Sequence, residues 1–447
     1  MENPIGTLPV GKLLRQFAIP SIIAMLVSSL YNVVDQIFIG QGVGYLGNAA
    51  TNVAFPLVTI CMAMTLAIGI GSATQFSLSL GRKEEEEAAR VAGSGFLMMV
   101  LFGTIYAVLV ELFLPQLLTV FGSTPEIMPY ALTYTRITTI GMPFLMIMNG
   151  VSNLARADGS PRFSMMVMLV GAIINTILDP IFIFPLHMGV AGAAWATIIG
   201  QVVSCICAVL YLRRFKRINL KREHFVLSFR RIGKTFTMGM SNGLTQLAIT
   251  LIQIVVNNSM VYYGAQTPYG SEIPLAAAGI VLKVNGIIMA VYIGVNQGMQ
   301  PIIGFNYGAK KFERVKQTFR KAVLAVFVIG LIGLFIFQVF PKAVLSLFGS
   351  GEGLYMDFAV RFMRTFLLMI PLNGIQMLSS NFFSAIGKPV KGTLLSLTRT
   401  VFLFIPIVLI LPLFLSMQGI LITAPIADSI AFVIAMVFVG KEMKNMV

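Results

Sequence analysis

The sequence predicts an all-α polytopic membrane protein of twelve transmembrane helices, arranged as two parallel-repeat six-helix bundles around a central cleft. Composition, uninterrupted apolar runs and an internal repeat carry that expectation. Of 447 residues 57% are hydrophobic and 11% charged, with mean hydropathy +0.87; an ordinary soluble domain carries about 25% charged residues. A membrane helix takes about 20 residues, so the chain has room for roughly a dozen and for little else. Residues 16–34 form one uncharged apolar run, and no charge falls between Gln36 and Gly81. Such runs exclude the in-out alternation of barrel strands, leaving helices as the way to satisfy backbone groups in lipid.

Breaks at charge clusters and Gly/Pro turns define the segments in order. The first, 13–39, contains Pro20 and Asp35, and the second, 50–80, lies inside the uncharged run. The third, 91–114, follows the acidic run Glu84 to Glu87. The fourth, 128–155, carries Arg136 and Pro143; the fifth, 162–185, starts after Gly159-Ser-Pro161 and contains Asn175, Asp179 and Pro180; the sixth, 190–212, holds Thr197. Nine of the 32 Lys+Arg then crowd into 213–234, read as a linker between bundles at 1–212 and 235–447. The seventh and eighth, 235–262 and 275–307, include Lys283 in the latter; the ninth, 318–340, follows a second basic cluster, Lys310 to Lys321. The tenth, eleventh and twelfth run 354–383, 391–412 and 418–439, the last with Asp428.

The repeat is specific. Pro143, Asn153, Gly159 and Pro161 recur as Pro371, Asn381, Gly387 and Pro389, all at a shift of 228, and Arg136 and Arg364 share that shift. Phe121-Gly-Ser123 returns as Phe348-Gly-Ser350 at a shift of 227. Six spans per copy is an even number, so both copies face the same way, and two such bundles enclose a cleft that can open to either side by rocking. Twenty-six Lys+Arg fall in alternate gaps on one side against only Lys342 on the other, which predicts cytoplasmic termini. The clustering also explains the net charge of +15 without nucleic acid, since no aromatic platform or recognition motif accompanies it. No leader-like basic, apolar and small-residue succession opens the chain, and Cys61, Cys205 and Cys207 have neither zinc nor disulfide spacing.

Catalysis is thinly supplied. Gly6 to Lys12 mimics a phosphate loop, but Leu13 stands where Ser or Thr is needed, and just two histidines are present. The acids are more telling. Asp35, Asp179 and Asp428 lie deep in apolar segments, where a carboxylate costs roughly 2.5–3.5 kcal/mol and marks function by default. Asn175 shares a helix face with Asp179, Pro180 leaves a carbonyl unpaired beside it, and Thr197 offers a further oxygen. In the second copy Asn257 stands opposite Asp35 and Ile407 opposite Asp179, so ion coupling is expected in the first bundle. Pro20 is a candidate hinge. Asn285, Met289, Gln297, Met299, Gln376 and Met377 are candidate linings of a drug cavity, flexible Met surfaces suiting varied apolar cargo. Lys283 is open between a cavity role and a helix-packing pair, and Asp428 between structure and function.

Pro20 with Tyr31-Asn-Val-Val-Asp35-Gln-Ile-Phe-Ile-Gly40, the Pro143 to Pro161 block and Asn175-Thr-Ile-Leu-Asp179-Pro180 resemble the multidrug and toxic compound extrusion (MATE) family, in its DinF/MepA-like bacterial branch. The resemblance covers essentially the whole chain. It implies export of drugs or toxins by a rocker switch in a bacterial cytoplasmic membrane, with a proton or cation site at Asp35, Asn153, Asn175, Asp179 and Thr197. Ser241 replaces the proline that often opens the seventh helix, and the acids another branch carries in its second half have no counterpart. The expected activity is therefore antiport of amphipathic, often cationic compounds against H+ or Na+ by a monomer, with no other cofactor. The rivals are a flippase for lipid-linked precursors, an ion channel, or a non-transporting scaffold.

Overall fold

The computed structural model describes residues 3–347 and 353–446; Phe348-Gly-Ser350, one element of the repeat, lies outside the described residues. Among those described, helices alternate with turns and no strand forms. The N-half comprises α1 (Val10–Gly42), α2 (Tyr45–Gly81), α3 (Glu85–Leu112), a short α4 (Leu114–Val120), α5 (Met128–Ala157), α6 (Pro161–Ile183) and α7 (Gly189–Tyr211). The C-half comprises α8 (Phe229–Gly264), α9 (Glu272–Gly308), α10 (Phe312–Val339), a short α11 (Pro341–Ser346), α12 (Leu354–Phe366), α13 (Ile370–Ala385), α14 (Pro389–Leu397), α15 (Ile405–Leu415) and α16 (Met417–Lys444). Among the described residues, eleven spans are long and apolar enough to cross a membrane, and the bent pair α12–α13 makes a twelfth.

The helices overrun the segments that hydropathy marks out. The 37 residues of α2 or α9 extend about 55 Å, well beyond a hydrocarbon core of about 30 Å. Backbone hydrogen bonds do not stop where lipid does, so the ends continue into water. The first segment is unbroken through Pro20. The tenth is broken instead: α12 and α13 meet at 46°, just before Pro371, whose ring removes a backbone donor. The eleventh is interrupted by a π-helical turn, Thr398–Phe404, between α14 and α15.

The repeat is visible in the helices themselves. Both α3 and α10 have 28 residues, and their starts, Glu85 and Phe312, keep the shift of 227. The starts of α6 and α14, and of α7 and α16, keep the shift of 228. The halves meet through α1, α2, α8 and α9, and they do so at the ends carrying the basic loops. There, residues 67–81 of α2 and 294–306 of α9 are buried on every side. Close approach requires glycine. A Cβ on Gly81 would collide with the Phe305 carbonyl, and one on Gly308 would collide with that of Leu78. Toward the other ends, both helices regain exposed positions, Asn52 and Phe55 on α2, and Ala276, Gly279, Lys283, Gly286 and Ile287 on α9.

Candidate functional site

Three buried helix positions create a pocket of oxygen far from the basic loops. Asp35 on α1 and Asp179 on α6 are both buried, and their carboxyls lie within hydrogen-bonding reach of each other. The Asn175 amide, one turn before Asp179, donates to Asp179 Oδ1 at 3.2 Å and to Thr197 Oγ1 of α7 at 3.2 Å. The i, i+4 spacing on α6 sets the first contact, and the packing of α7 on α6 supplies the second. Pro180 has no N–H to return to the Thr176 carbonyl, so one more backbone oxygen opens beside the pair.

Electrostatically the site lacks cations. No Lys or Arg pairs with Asp35 or Asp179 among the described residues. Asp35 Oδ1, Asp179 Oδ2 and Asn175 Oδ1 are buried without a hydrogen-bond partner. Buried acceptors left unmatched are costly, and hard oxygens of this kind suit a proton or a small hard cation. Tyr31 of α1 and Tyr134 of α5 stand near both carboxyls. These two tyrosines escaped the sequence reading; in segments rich in Phe and Tyr, a ring alone gives no sign of facing a carboxylate.

Asn153 does not join this group. It lies four residues from the basic-side end of α5, whereas Asp179 lies four residues from the opposite end of α6, at Ile183. At about 1.5 Å of rise per residue the two are offset by about 20 Å. Asn153 instead accepts from Arg156 and donates to the Asn149 carbonyl at 3.0 Å. With Arg156, Gln297 and Gln300, it lines a small gap between the halves on the basic side.

The proposed cavity linings divide. Gln297 reaches across the seam toward Met25 Sδ at 3.8 Å. Met299 is fully buried in the apolar core, and Gln376 ties α13 to α14 by donating to the Leu395 carbonyl at 2.9 Å. Met299 sits in the stretch of α9 that is buried on every side, and Gln376 is taken up by the α13–α14 contact. Asn285 is half-buried, while Met289 and Met377 are half-buried against the core edge. Lys283 is exposed and has no acidic partner among the described residues, which removes the helix-packing pair. Gly279 and Gly286 on its stripe face open space, and a charge on an apolar span turns to water rather than lipid.

Asp428, left open by the sequence, is closed by its neighbours. Arg399 Nε donates to Asp428 Oδ1 at 2.7 Å, and the Asn373 amide reaches both carboxylate oxygens at 3.4 and 3.3 Å. Two further acids outside the segments that hydropathy marks are buried ties. Asp158 accepts from Tyr211 Oη at 2.7 Å and from the backbone N–H of Lys216 and Arg217 at 2.7 and 3.1 Å. Burial nonetheless pushes its carboxyl up to about 6. Glu442 pairs with Lys388 and with Lys391.

A model of the MatE family matches this chain twice, over residues 20–181 and 243–410. The multidrug export protein MepA of Staphylococcus haemolyticus (strain JCSC1435) is 25% identical over 446 residues, 98% of this chain and 94% of its own. MepA of Staphylococcus aureus (strain NCTC 8325 / PS 47) is 25% identical over 440 residues, 96% and 94% of the two chains. Among solved structures, a MOP superfamily transporter from Pyrococcus furiosus, described as having a binding pocket of reversed polarity, has a TM-score of 0.92 at 22% identity. It covers 99% of this chain and 98% of that one. An outward-facing multidrug resistance MATE transporter gives 0.92 at 22% identity, covering 99% and 97%. At that identity the likeness concerns the fold.

Proposed function

Because this chain belongs to the MatE family, we propose that it exports amphipathic, often cationic organic compounds in exchange for H+ or Na+. The single observation that carries the coupling is the Asp35–Asp179 pair, two buried acids with no arginine or lysine to neutralise them among the described residues. Two negative charges this close cannot both stay bare in a low-dielectric setting. A proton or Na+ entering from water neutralises them, and its departure restores the repulsion. Asn175 and Thr197 hold neutral oxygens at the edge of the pair.

The exchange needs access that alternates. The charge bias puts both termini and the basic loops in the cytoplasm of a bacterial cell. The seam at Gly81 and Gly308 then closes the cytoplasmic side, while the exposed stripe of Gly279, Lys283 and Gly286 lies on the half of α9 toward the outside. Rocking about that seam would present the cleft to the cytoplasm, where cargo enters. Pro20 gives α1 a place to bend as Asp35 changes charge, and one chain supplies both halves of the cleft, so a monomer suffices.

Dye efflux from proteoliposomes, with pH and Na+ gradients imposed separately, tests the reading. One of the two gradients is expected to drive efflux. Asp35→Asn and Asp179→Asn, each inserted normally, are expected to reduce it to the level of empty vesicles. Full gradient-driven efflux in both variants would overturn the assignment.

A further inference from the structure

The turn between α2 and α3 and the turn between α9 and α10 are two copies of one structure with opposite charge. Each begins at a glycine, Gly81 or Gly308, and each places a lysine in the left-handed region, Lys83 at φ 64° and Lys310 at φ 57°. The next residue has nearly the same backbone in both, φ −92° ψ 67° at Glu84 and φ −86° ψ 64° at Lys311. Beyond it the side chains diverge. The N-half continues with Glu85, Glu86 and Glu87, whereas the C-half has Phe312, Glu313 and Arg314.

The acidic copy is covered by the chain itself. The linker lies on α3 so closely that a Cβ on Gly93 would meet the His224 carbonyl at 2.5 Å. His224 Nε2 approaches Glu86 Oε1 at 3.2 Å and Arg231 approaches Glu87 at 3.8 Å. The basic copy is instead held by the N-terminal segment, Lys311 Nζ donating to the Gly6 carbonyl at 3.0 Å. It borders a cavity of about 840 Å³ between the α9–α10 turn and the end of α16, lined by Lys310, Arg314, Arg320 and Lys444, with Phe312 and Met446 among the apolar members. Arg314 is spent on the Ile5 and Leu8 carbonyls and on Asn306, and Lys316 pairs with Glu313 at 3.1 Å. Lys310, Arg320 and Lys444 have no acidic partner among the described residues.

We infer that this groove binds the phosphate head group of an anionic phospholipid, which neutralises the cations that the N-terminal segment leaves unpaired. The occupant is a lipid because the cations ring an apolar patch at the membrane-edge ends of two spanning helices. Anionic phosphates concentrate at that level of the cytoplasmic leaflet, attracting basic residues by about 1 kcal/mol each. None of the three free cations touches the acid pair, so the lipid site stands apart from the exported cargo and the coupling ion.

Native mass spectrometry of the full chain, released from nanodiscs of mixed phosphatidylcholine and phosphatidylglycerol or cardiolipin, tests it. The wild-type chain is expected to retain anionic lipid in preference to phosphatidylcholine. Lys310→Gln, Arg320→Gln and Lys444→Gln together are expected to weaken retention on the order of a hundredfold. A charge-matched control on exposed linker positions, Arg213→Gln, Arg214→Gln and Arg222→Gln, is expected to keep retention within a few-fold. Equal loss in both triples would reduce the groove to a generally basic surface and overturn the inference. Displacement of bound lipid by inorganic phosphate, or by an acidic polypeptide at the same charge concentration, would also overturn it.

Discussion

At positions 171 and 200 the N-half has two glycines; at the shift of 228 the C-half has Arg399 and Asp428. The glycines bring α6 and α7 into backbone contact, so that a Cβ on Gly200 would fall 2.7 Å from the Gly171 carbonyl. The Arg399–Asp428 pair fills the equivalent place with side chains, and the helix carrying Arg399 widens into the π turn there. π turns accommodate an inserted group at the cost of a regular ladder. The same inherited position thus closes in one half by removing side chains, and in the other by neutralising them against each other. In the C-half the acid carries its own fixed cation. In the N-half the acids are left to a mobile one.

The largest test of this contrast is functional. While Asp35→Asn and Asp179→Asn are expected to end gradient-driven efflux, the joint replacement Arg399→Met with Asp428→Leu should leave it within a few-fold of wild type. Loss of coupling in that double variant would dissolve the contrast. Stability probes it next. Arg399→Met alone strands Asp428 as a buried charge, a loss of about 3–5 kcal/mol, and the second substitution should restore most of it in thermal unfolding. Gly200→Ala is milder, expected to cost about 1–3 kcal/mol by overpacking. It should also disturb efflux, because Thr197 on α7 and Asp179 on α6 move apart together.

A pH-dependent effect belongs to the linker's anchor. With the Asp158 carboxyl at about 6 in the folded chain against 3.8 for a free one, the folded state binds that proton more tightly. Its contribution to stability is therefore full below about pH 4 and is lost as pH rises through about 6. Asp158→Asn should flatten this slope, read by hydrogen exchange at the Lys216 and Arg217 amides.

Spacing and background explain what could be read beforehand. Asp35 and Asp179 stood out because charge is conspicuous in an apolar run, and Asn175 because positions four apart share a helix face. The twelve spans and their duplication followed from hydropathy and from a constant shift. Asn153 enters the expected site only through the family resemblance, and depth along the helices separates it from the acids. Asp158 and Glu442 sat in stretches that read as loop and tail, so their burial depended on partners far along the chain, Tyr211 and Lys391 among them. The π turn lies where Arg399 reaches Asp428 and just before Pro406, whose ring has no N–H to offer the preceding turn.

The seam at Gly81 and Gly308 has one more consequence. Phe305 is the image of Leu78 under the same shift that relates the two glycines, so each half touches its own likeness, as subunits do across a two-fold axis. When one ancestral module was doubled, a single residue came to serve both faces of the fulcrum. Descent could let the pockets diverge, but enlarging either member wedges the joint from its own side, and the smallest amino acid persists there in both copies.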